Sequence, residues 1–274
     1  MYDRHSELFR HNMELLGQQD IVIASTGGAG QSYLGNLLQE LGLNQVDPYT
    51  ESLDPRGHAV PVHSSWRRRL AATQRRDDGG RPRRMWPRFV KSEESPEVTL
   101  RRRVRGICLL VRDPRDALYS RYRFRRDFAQ DPWALGKGSF GAWLESAYPG
   151  GDLPVREWIR FYRGWLDAGA RYDRVLVARF EELKTSPGAL RAFLRFAGVQ
   201  VPEPELRRAW ERSRFEVMRA HEDTESGGRE GARILRSGTV GEWREWLTPK
   251  LWKSFSGADL AAVARELGYR IDYE

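Results

Sequence analysis

The sequence has one cysteine and no long apolar run. Cys108 has no second cysteine with which to form an intrachain disulfide, and it stands in the apolar run GICLLV, where a lone thiol is typical of a core. No stretch approaches the roughly 18 apolar residues of a membrane-spanning helix. The charged start MYDRHSELFRHNMELLG has no apolar signal core. These absences favour a soluble, unexported protein of the reducing cytoplasm.

Metal-ligand spacing and nucleic-acid motifs are also missing. No His, Cys, Asp or Glu cluster has the spacing of a metal site, so we expect no metal. The net charge of +8 and a pI near 9.8 indicate a surface that attracts anions. Nucleic acid is one such anion, but only the arginine content points to it, and we expect no nucleic-acid partner.

Four short apolar segments are spaced along the chain and separated by helical patterns. They lie near residues 21, 89, 107 and 175, and the runs GICLLVRD and RVLVARFEEL are the clearest. Strands that alternate with helices predict an α/β fold with a central parallel sheet and helices on both faces. Ligands of such sheets bind at the carboxyl ends of the strands.

A glycine-rich segment follows the first of these strands. It reads STGGAGQSYLG, from Ser25 to Gly35, between the apolar run DIVIA and the helical run NLLQELGL. Glycines allow backbone N–H groups to converge on a phosphate, and the next helix start adds positive potential. A tight turn without a ligand is the alternative. A kinase-type P-loop ends in Gly-Lys-Ser/Thr, but this segment has Gly30-Gln31-Ser32, which argues against a nucleotide kinase.

A second candidate anion site lies in LLVRDPRDALYSRYRF. Arg112 ends a predicted buried strand, and Ser120 lies two helical turns further on. An arginine at a strand end can bind phosphate through two hydrogen bonds, and a serine on the same helix face can donate another. The alternative is a capping arginine and a solvent-exposed serine.

This stretch resembles the 3′-phosphate-binding segment of sulfotransferases that use 3′-phosphoadenosine 5′-phosphosulfate (PAPS). Three further segments resemble that family in the same order. They are STGGAGQSYL for the 5′-phosphosulfate loop, RFEELKTSPGALRAFLRFAGV with Phe180, and the late segment RSGTVGEWREWLT. The resemblance spans roughly residues 20–250. The cofactor-binding residues it implies are Thr26, Gly27, Gly28, Ala29, Gly30, Gln31, Ser32, Tyr33, Arg112, Ser120, Phe180, Arg236, Ser237 and Gly238.

The resemblance implies one domain over residues 1–274 with a P-loop-like sulfotransferase architecture. It implies transfer of a sulfuryl group from PAPS, without a metal, to a hydroxyl of a small-molecule or glycan acceptor, with release of 3′-phosphoadenosine 5′-phosphate (PAP). An arginine-rich lid or loop is expected at about 64–88 and a glycine-rich cofactor loop at about 221–241. The oligomeric state is left open.

Two departures from the family pattern concern charge. The loop lysine of the family, which contacts the leaving group, aligns with Gly28, and Ser237 replaces a basic residue. A non-catalytic module that binds PAP is therefore the alternative function.

The resemblance also places a catalytic base after the second core strand, in RFVKSEESPEV. Glu93 stands where the family's small-molecule branch has a histidine, and Lys91 is the candidate for the missing positive charge. A carboxylate in a dry pocket acquires a raised pKa that suits a base. Glu94 and His63 are the other candidate bases.

Aromatic side chains are candidates for adenine stacking. Phe180 takes this role by resemblance, while Trp66 and Phe215 are weaker candidates. Tryptophans at helical spacing are more typical of a core, although some of them are candidates for an acceptor cavity. They are Trp133, Trp143, Trp158 and Trp165.

Overall fold

A five-stranded parallel sheet forms the centre of the computed structural model, which describes residues 3–56, 58–61, 84–148, 151–226 and 235–273. The strand order is β2-β5-β1-β6-β7, and a separate antiparallel pair is formed by β3 and β4. The strands are β1 (Asp20–Ala24), β2 (Leu43–Val46), β3 (Glu51–Leu53), β4 (Ala59–Pro61), β5 (Arg84–Ser92), β6 (Gly106–Val111) and β7 (Val175–Arg179).

Helices follow the strands along the described chain. They are α1 (Asp3–Glu14), α2 (Gln31–Glu40), α3 (Pro96–Thr99), α4 (Pro114–Arg123), a π-helix (Phe124–Phe128), α5 (Pro132–Leu135), α6 (Phe140–Leu144), α7 (Pro154–Gly169), α8 (Phe180–Thr185), α9 (Pro187–Ala197), α10 (Glu203–Arg212), α11 (Phe215–Ser226), α12 (Trp243–Trp246), α13 (Pro249–Trp252) and α14 (Ala258–Glu266). None of those within the described ranges is long and apolar enough to cross a membrane.

The central strands are buried on both faces. Alternate residues of β1 enter two different hydrophobic clusters, Val22 in one and Ile23 in the other. The first cluster packs under α1, α7 and α14, and the second under α2, α9 and α10. This arrangement explains why the strands are continuous apolar runs. It also confirms the predicted α/β fold and the core position of Cys108, which is fully buried.

The structure corrects several predicted boundaries. Strand β2 was missed, because it has only four residues and two of them are polar. The run predicted as a strand through RVLVARFEEL becomes helical at Phe180. The predicted loop at 221–241 begins within α11, which continues to Ser226.

The arginine-rich lid predicted at 64–88 extends too far at its C-terminal end. Residues 84–88 belong to β5, while residues 64–83, including Trp66, lie outside the described residues. Arg88 is 1% exposed and forms a two-pronged ion pair with Asp20 of the adjacent β1. The Nε–Oδ1 and NH2–Oδ2 distances are 2.6 Å and 2.9 Å. Arg88 therefore belongs to the sheet interior.

The strand order reverses at β1. The chain adds β2 and β5 on one side of β1 and then β6 and β7 on the other. Connections that leave a parallel sheet in opposite directions open a crevice at the carboxyl ends of the strands. The segment after β1 starts at this crevice.

Candidate functional site

The loop between β1 and α2, residues 25–30, is called the opening loop here. The N–H of Ser25 donates to the carbonyl of Ser92 at 3.0 Å, and the N–H of Thr26 donates to the Tyr162 hydroxyl at 3.4 Å. Since Ser92 ends β5 and Tyr162 lies on α7, the loop is held between the sheet and a helix.

Two glycines allow close packing around the opening loop. Gly28 has φ +87°, and a Cβ there would lie 2.2 Å from the carbonyl oxygen of Ala117 on α4. Gly30 has φ +97°, and a Cβ there would lie 2.2 Å from the Phe180 ring. Both conformations favour glycine, and neither site has room for a side chain. Helix α2 then begins at Gln31 without a side-chain N-cap hydrogen bond, so no side chain caps its first N–H groups.

Arg112 connects three of the predicted segments. It follows β6, is 7% exposed and donates to the carbonyls of Gly28 at 3.3 Å and Thr239 at 3.0 Å. Its guanidinium lies 4.8 Å from the centre of the Phe180 ring. The opening loop, Phe180 and the late segment therefore meet at one arginine.

The late loop, residues 235–242, is fastened by Asp116 of α4. This buried carboxylate accepts from the N–H groups of Gly241 and Trp243, both at 2.8 Å, and lies 3.6 Å from Arg112. Burial raises the pKa of Asp116, while Arg112 and the two N–H groups act against that rise. Asp116 matches the motif that contains Arg112, but its anchoring role could not be read from the motif.

Two of the predicted cofactor-binding residues engage a late-loop carboxylate. Arg236 forms an ion pair with Glu242 and lies 5.1 Å from the centre of the Tyr119 ring. Ser237 donates to the same carboxylate at 3.1 Å. Burial would raise the pKa of Glu242, but Arg236 and Ser237 outweigh it and hold that pKa below its usual value. Gly238 contributes its carbonyl, which accepts from Lys184 at 3.0 Å.

The candidate catalytic residues lie at the end of β5, beside the opening loop. The Lys91 ammonium is 3.1 Å from Glu93 and 3.4 Å from Asp47, and the Glu93 N–H donates to the Tyr49 hydroxyl at 2.7 Å. The Glu93 side chain is 40% exposed. Burial and the neighbouring Glu93 raise the pKa of Glu94, with Arg10 acting against them.

The other predicted residues fall into three groups. Ser120 is partly buried on the stretch of α4 that packs against Gly28. His63 lies outside the described residues. The helical tryptophans Trp143, Trp158 and Trp165 are buried in the core, as their spacing predicted, and Trp133 packs against the same cluster.

Sequence reasoning missed two cations, Lys184 beside the late loop and Arg121 beside the opening loop. Lys184 stands one helical turn after Phe180 and therefore shares its face of α8, a signal that the spacing offered. The Arg121 side chain would lie 3.5 Å from a Cβ at Gly27. Arg121 also donates to Glu157 of α7 at 2.9 Å.

These residues fit a phosphorylated nucleotide. Among the described residues, the buried Gln31 Nε2 and Arg112 Nε have no hydrogen-bond partner. Buried donors without acceptors are costly, and phosphate oxygens are strong acceptors for them. The glycine-lined loop, the start of α2 and Arg112 together place backbone N–H groups and a guanidinium at one edge of the sheet.

Comparison with solved structures finds the same fold. The mouse sulfotransferase SULT7A1 complexed with PAP superimposes with a TM-score of 0.61 at 19% identity, over 96% of this chain and 92% of that one. A retinol dehydratase in complex with androsterone and PAP also gives 0.61, at 18% identity, over 99% of this chain and 87% of that one.

Curated relatives match part of the chain. Mouse Sulfotransferase 2A1 is 29% identical over 148 residues, which is 51% of this chain and 50% of the relative. The 3-alpha-hydroxysteroid sulfotransferase of Cavia porcellus is 28% identical over 151 residues, 52% of this chain and 50% of the relative. The chain thus spans about half the length of these relatives.

A family model matches most of the sequence. The model described as the sulfotransferase domain matches residues 18–258. This range contains the opening loop, Arg112, Phe180 and the late loop. The chain belongs to the sulfotransferase family.

Proposed function

We propose that this protein transfers a sulfuryl group from PAPS to the hydroxyl of a small-molecule or glycan acceptor and releases PAP. The observation that carries the proposal is the convergence at Arg112 of the opening loop, Phe180 and the late loop. These are the segments that would hold a phosphorylated adenosine. The similarity to a 3-alpha-hydroxysteroid sulfotransferase and to a retinol dehydratase in complex with androsterone supports the small-molecule acceptor over the glycan.

The nucleotide would be held through backbone and cationic groups. The N–H groups at the start of α2 would bind the 5′-phosphosulfate, with Gln31 and Ser32 as neutral side-chain donors. Arg112 and Ser120 would bind the 3′-phosphate with the late loop, and the Phe180 ring would contact the adenine. PAPS supplies an activated sulfuryl group for in-line displacement.

Acceptor activation is assigned to the end of β5. In this proposal Glu93 takes the proton of the acceptor hydroxyl, and Lys91 provides positive charge near the transferred group. The Lys91 ammonium lies 3.1 Å from the Glu93 carboxylate, so the two candidate groups are neighbours at this strand end. The half-buried Glu94 is the alternative base, because burial and the neighbouring Glu93 raise its pKa, which favours proton uptake. His63 is the third candidate.

Calorimetry with PAP tests the nucleotide site, with ATP and ADP as controls. We expect micromolar PAP binding that falls at least about 100-fold in Arg112→Ala, since charge-assisted bonds to phosphate are lost. Arg163→Ala, which removes an exposed arginine paired with Glu266, should bind like the wild type.

Turnover is then tested by PAP release from PAPS in an acceptor screen that includes hydroxysteroids. Absence of PAP binding by the wild type would contradict the proposal. PAP binding without turnover of any acceptor would favour the non-catalytic module instead.

A further inference from the structure

Lys184 lies at the nucleotide end of the sheet, although no motif marks it. Its ammonium donates to the carbonyl of Gly238 in the late loop at 3.0 Å. It also lies 5.6 Å from the ring centres of Tyr33 on α2 and Phe215 on α11. These distances are within the range of cation–π attraction. Lys184 therefore joins α8 to three other segments of the site.

Lys184 and Arg112 bind neighbouring carbonyls of the late loop. Arg112 donates to Thr239 and Lys184 to Gly238, so the two cations approach the same turn. Asp116 lies 3.6 Å from Arg112, and Glu181 and Glu242 also interact with Arg112, whereas Glu216 is the carboxylate that acts on Lys184. The hydrogen bond of the Lys184 ammonium itself goes to a neutral carbonyl, which a phosphate oxygen can replace as a stronger acceptor.

The surroundings of Lys184 disfavour its charged form. Burial lowers the pKa of Lys184; Glu216 raises it, and Arg112 and Arg214 lower it further. The nearby Tyr33 hydroxyl, whose own pKa is raised by burial, donates to the carbonyl of Leu183 and is not an anion at neutral pH. A cation in such a setting is stabilised when an anion arrives beside it.

We propose that Lys184 is a second phosphate-binding cation of the nucleotide site and contacts the phosphate that Arg112 holds. The ammonium donates to the Gly238 carbonyl, and in the nucleotide complex a phosphate oxygen takes the place of that carbonyl. The inference rests on the proposed function, because it assumes that a phosphorylated adenosine binds at Arg112. The rings of Tyr33 and Phe215 then lose their contact with the ammonium and become available to the adenine.

The test compares PAP binding by the wild type, Lys184→Met, Lys184→Arg and Lys250→Met. Lys250 is an exposed lysine of α13 and serves as the matched control. We expect Lys184→Met to lower PAP affinity about 10- to 100-fold, as for one charge-assisted bond to phosphate. Lys184→Arg should retain most of the affinity, and Lys250→Met should equal the wild type. Melting temperatures check that each variant folds.

A pH series separates a charge role from a packing role. Wild-type PAP affinity should decline as the pH rises through the lowered lysine pKa, and Lys184→Arg should lose this decline because arginine stays charged. Affinity of Lys184→Met within about twofold of the wild type would overturn this inference and leave the proposed function intact. An alkaline decline that persists in Lys184→Arg would also overturn it. A wild type that does not bind PAP would overturn both.

Discussion

At the scale of single residues, Gly28 shows why a lysine cannot simply be restored to the opening loop. Its φ of +87° and the 2.2 Å approach of a Cβ to Ala117 leave no place for a side chain. Gly28→Ala and Gly28→Lys should each lower the free energy of unfolding by about 1–3 kcal/mol. Gly28→Lys should also weaken PAP binding. Urea unfolding and calorimetry measure the two effects.

Gly27 provides the matched control for that prediction. A Cβ at Gly27 would lie 3.5 Å from the Arg121 side chain, an ordinary contact. Gly27→Ala should therefore change the free energy of unfolding by less than about 1 kcal/mol. A Gly28→Lys variant that folds as stably as the wild type and binds PAP more tightly would contradict the prediction.

The two adjacent glutamates can be distinguished by turnover. If Glu93 is the base, Glu93→Gln should lower kcat about 100-fold or more, while Glu94→Gln should change it far less. Turnover should fall as the pH decreases, because a base must be deprotonated. If Glu94 were the base, the loss would occur in Glu94→Gln, and the acid fall would lie above the usual carboxyl range, because burial and Glu93 raise the pKa of Glu94. PAP release from PAPS, measured against pH, decides between them.

The motifs predicted to bind the cofactor lie close together in the structure, while the binding role of their residues stays a prediction. Phe180 packs against Gly30 and lies beside Arg112, so residues of three matched motifs are neighbours. Lys184 was missed because its position depends on the direction of α8, and β7 was expected to continue through that stretch. The catalytic assignment of Glu93, Lys91 and His63 stays a prediction.

At the scale of elements, the late loop depends on one carboxylate of α4. Asp116→Ala removes two bonds to backbone N–H groups and the carboxylate beside Arg112. We expect the free energy of unfolding to fall by about 1.5–3 kcal/mol, with weaker PAP binding. Hydrogen exchange should show lower protection at the amides of Gly241 and Trp243.

Asp259→Ala is the control for this variant, since Asp259 is an exposed residue in the first turn of α14. Asp259→Ala should lower the free energy of unfolding by less than about 1 kcal/mol and leave PAP binding unchanged. Unchanged protection of the two late-loop amides in Asp116→Ala would show that other contacts hold the loop.

Element prediction succeeded for the main apolar runs and missed short strands, among them β2 with its two polar residues. Strands β1, β5, β6 and β7 were found from their runs. Strand β2 contains Asn44, whose buried amide donates to the carbonyl of Met85 at 3.0 Å. Only the neighbouring strand makes this polar residue suitable for a buried position, and a local pattern does not contain that neighbour.

At the scale of the whole molecule, the C-terminal segment reaches back to the anion site. The Tyr269 hydroxyl donates to Glu181 at 2.5 Å, and Glu181 accepts from the N–H of Asp113, next to Arg112, at 3.0 Å. Arg115 donates to the carbonyl of Asp272 at 2.7 Å. Residues distant in sequence therefore support the strand end that carries Arg112.

Tyr269→Phe should lower the free energy of unfolding at neutral pH by about 1–3 kcal/mol. The loss should shrink as the pH falls through the pKa of Glu181, which burial raises, because a protonated carboxyl depends less on the lost donor. Urea unfolding at neutral and mildly acidic pH measures this. Tyr273→Phe, at an exposed tyrosine, is the control and should have no effect at either pH. An equal loss at both pH values would contradict the assigned role of Glu181.

The overall architecture was predictable, whereas contacts across the chain were not. Alternation of strands and helices predicted the parallel sheet, and the family match confirms the architecture. The link from Tyr269 to Glu181 joins positions 88 residues apart, and no local pattern encodes it. The prediction of one domain over residues 1–274 stays a prediction.

The buried ion pair between Arg88 and Asp20 also helps to set the register in which β5 pairs with β1 during folding. These residues are direct partners in the pairing of β5 with β1. A shift of β5 by one residue would turn the guanidinium to the opposite face and leave two buried charges apart, at a cost of about 3–5 kcal/mol. Runs of apolar side chains discriminate poorly between neighbouring alignments. The pair thus selects the one alignment that brings Ser92 to Ser25 and sets the opening loop in place.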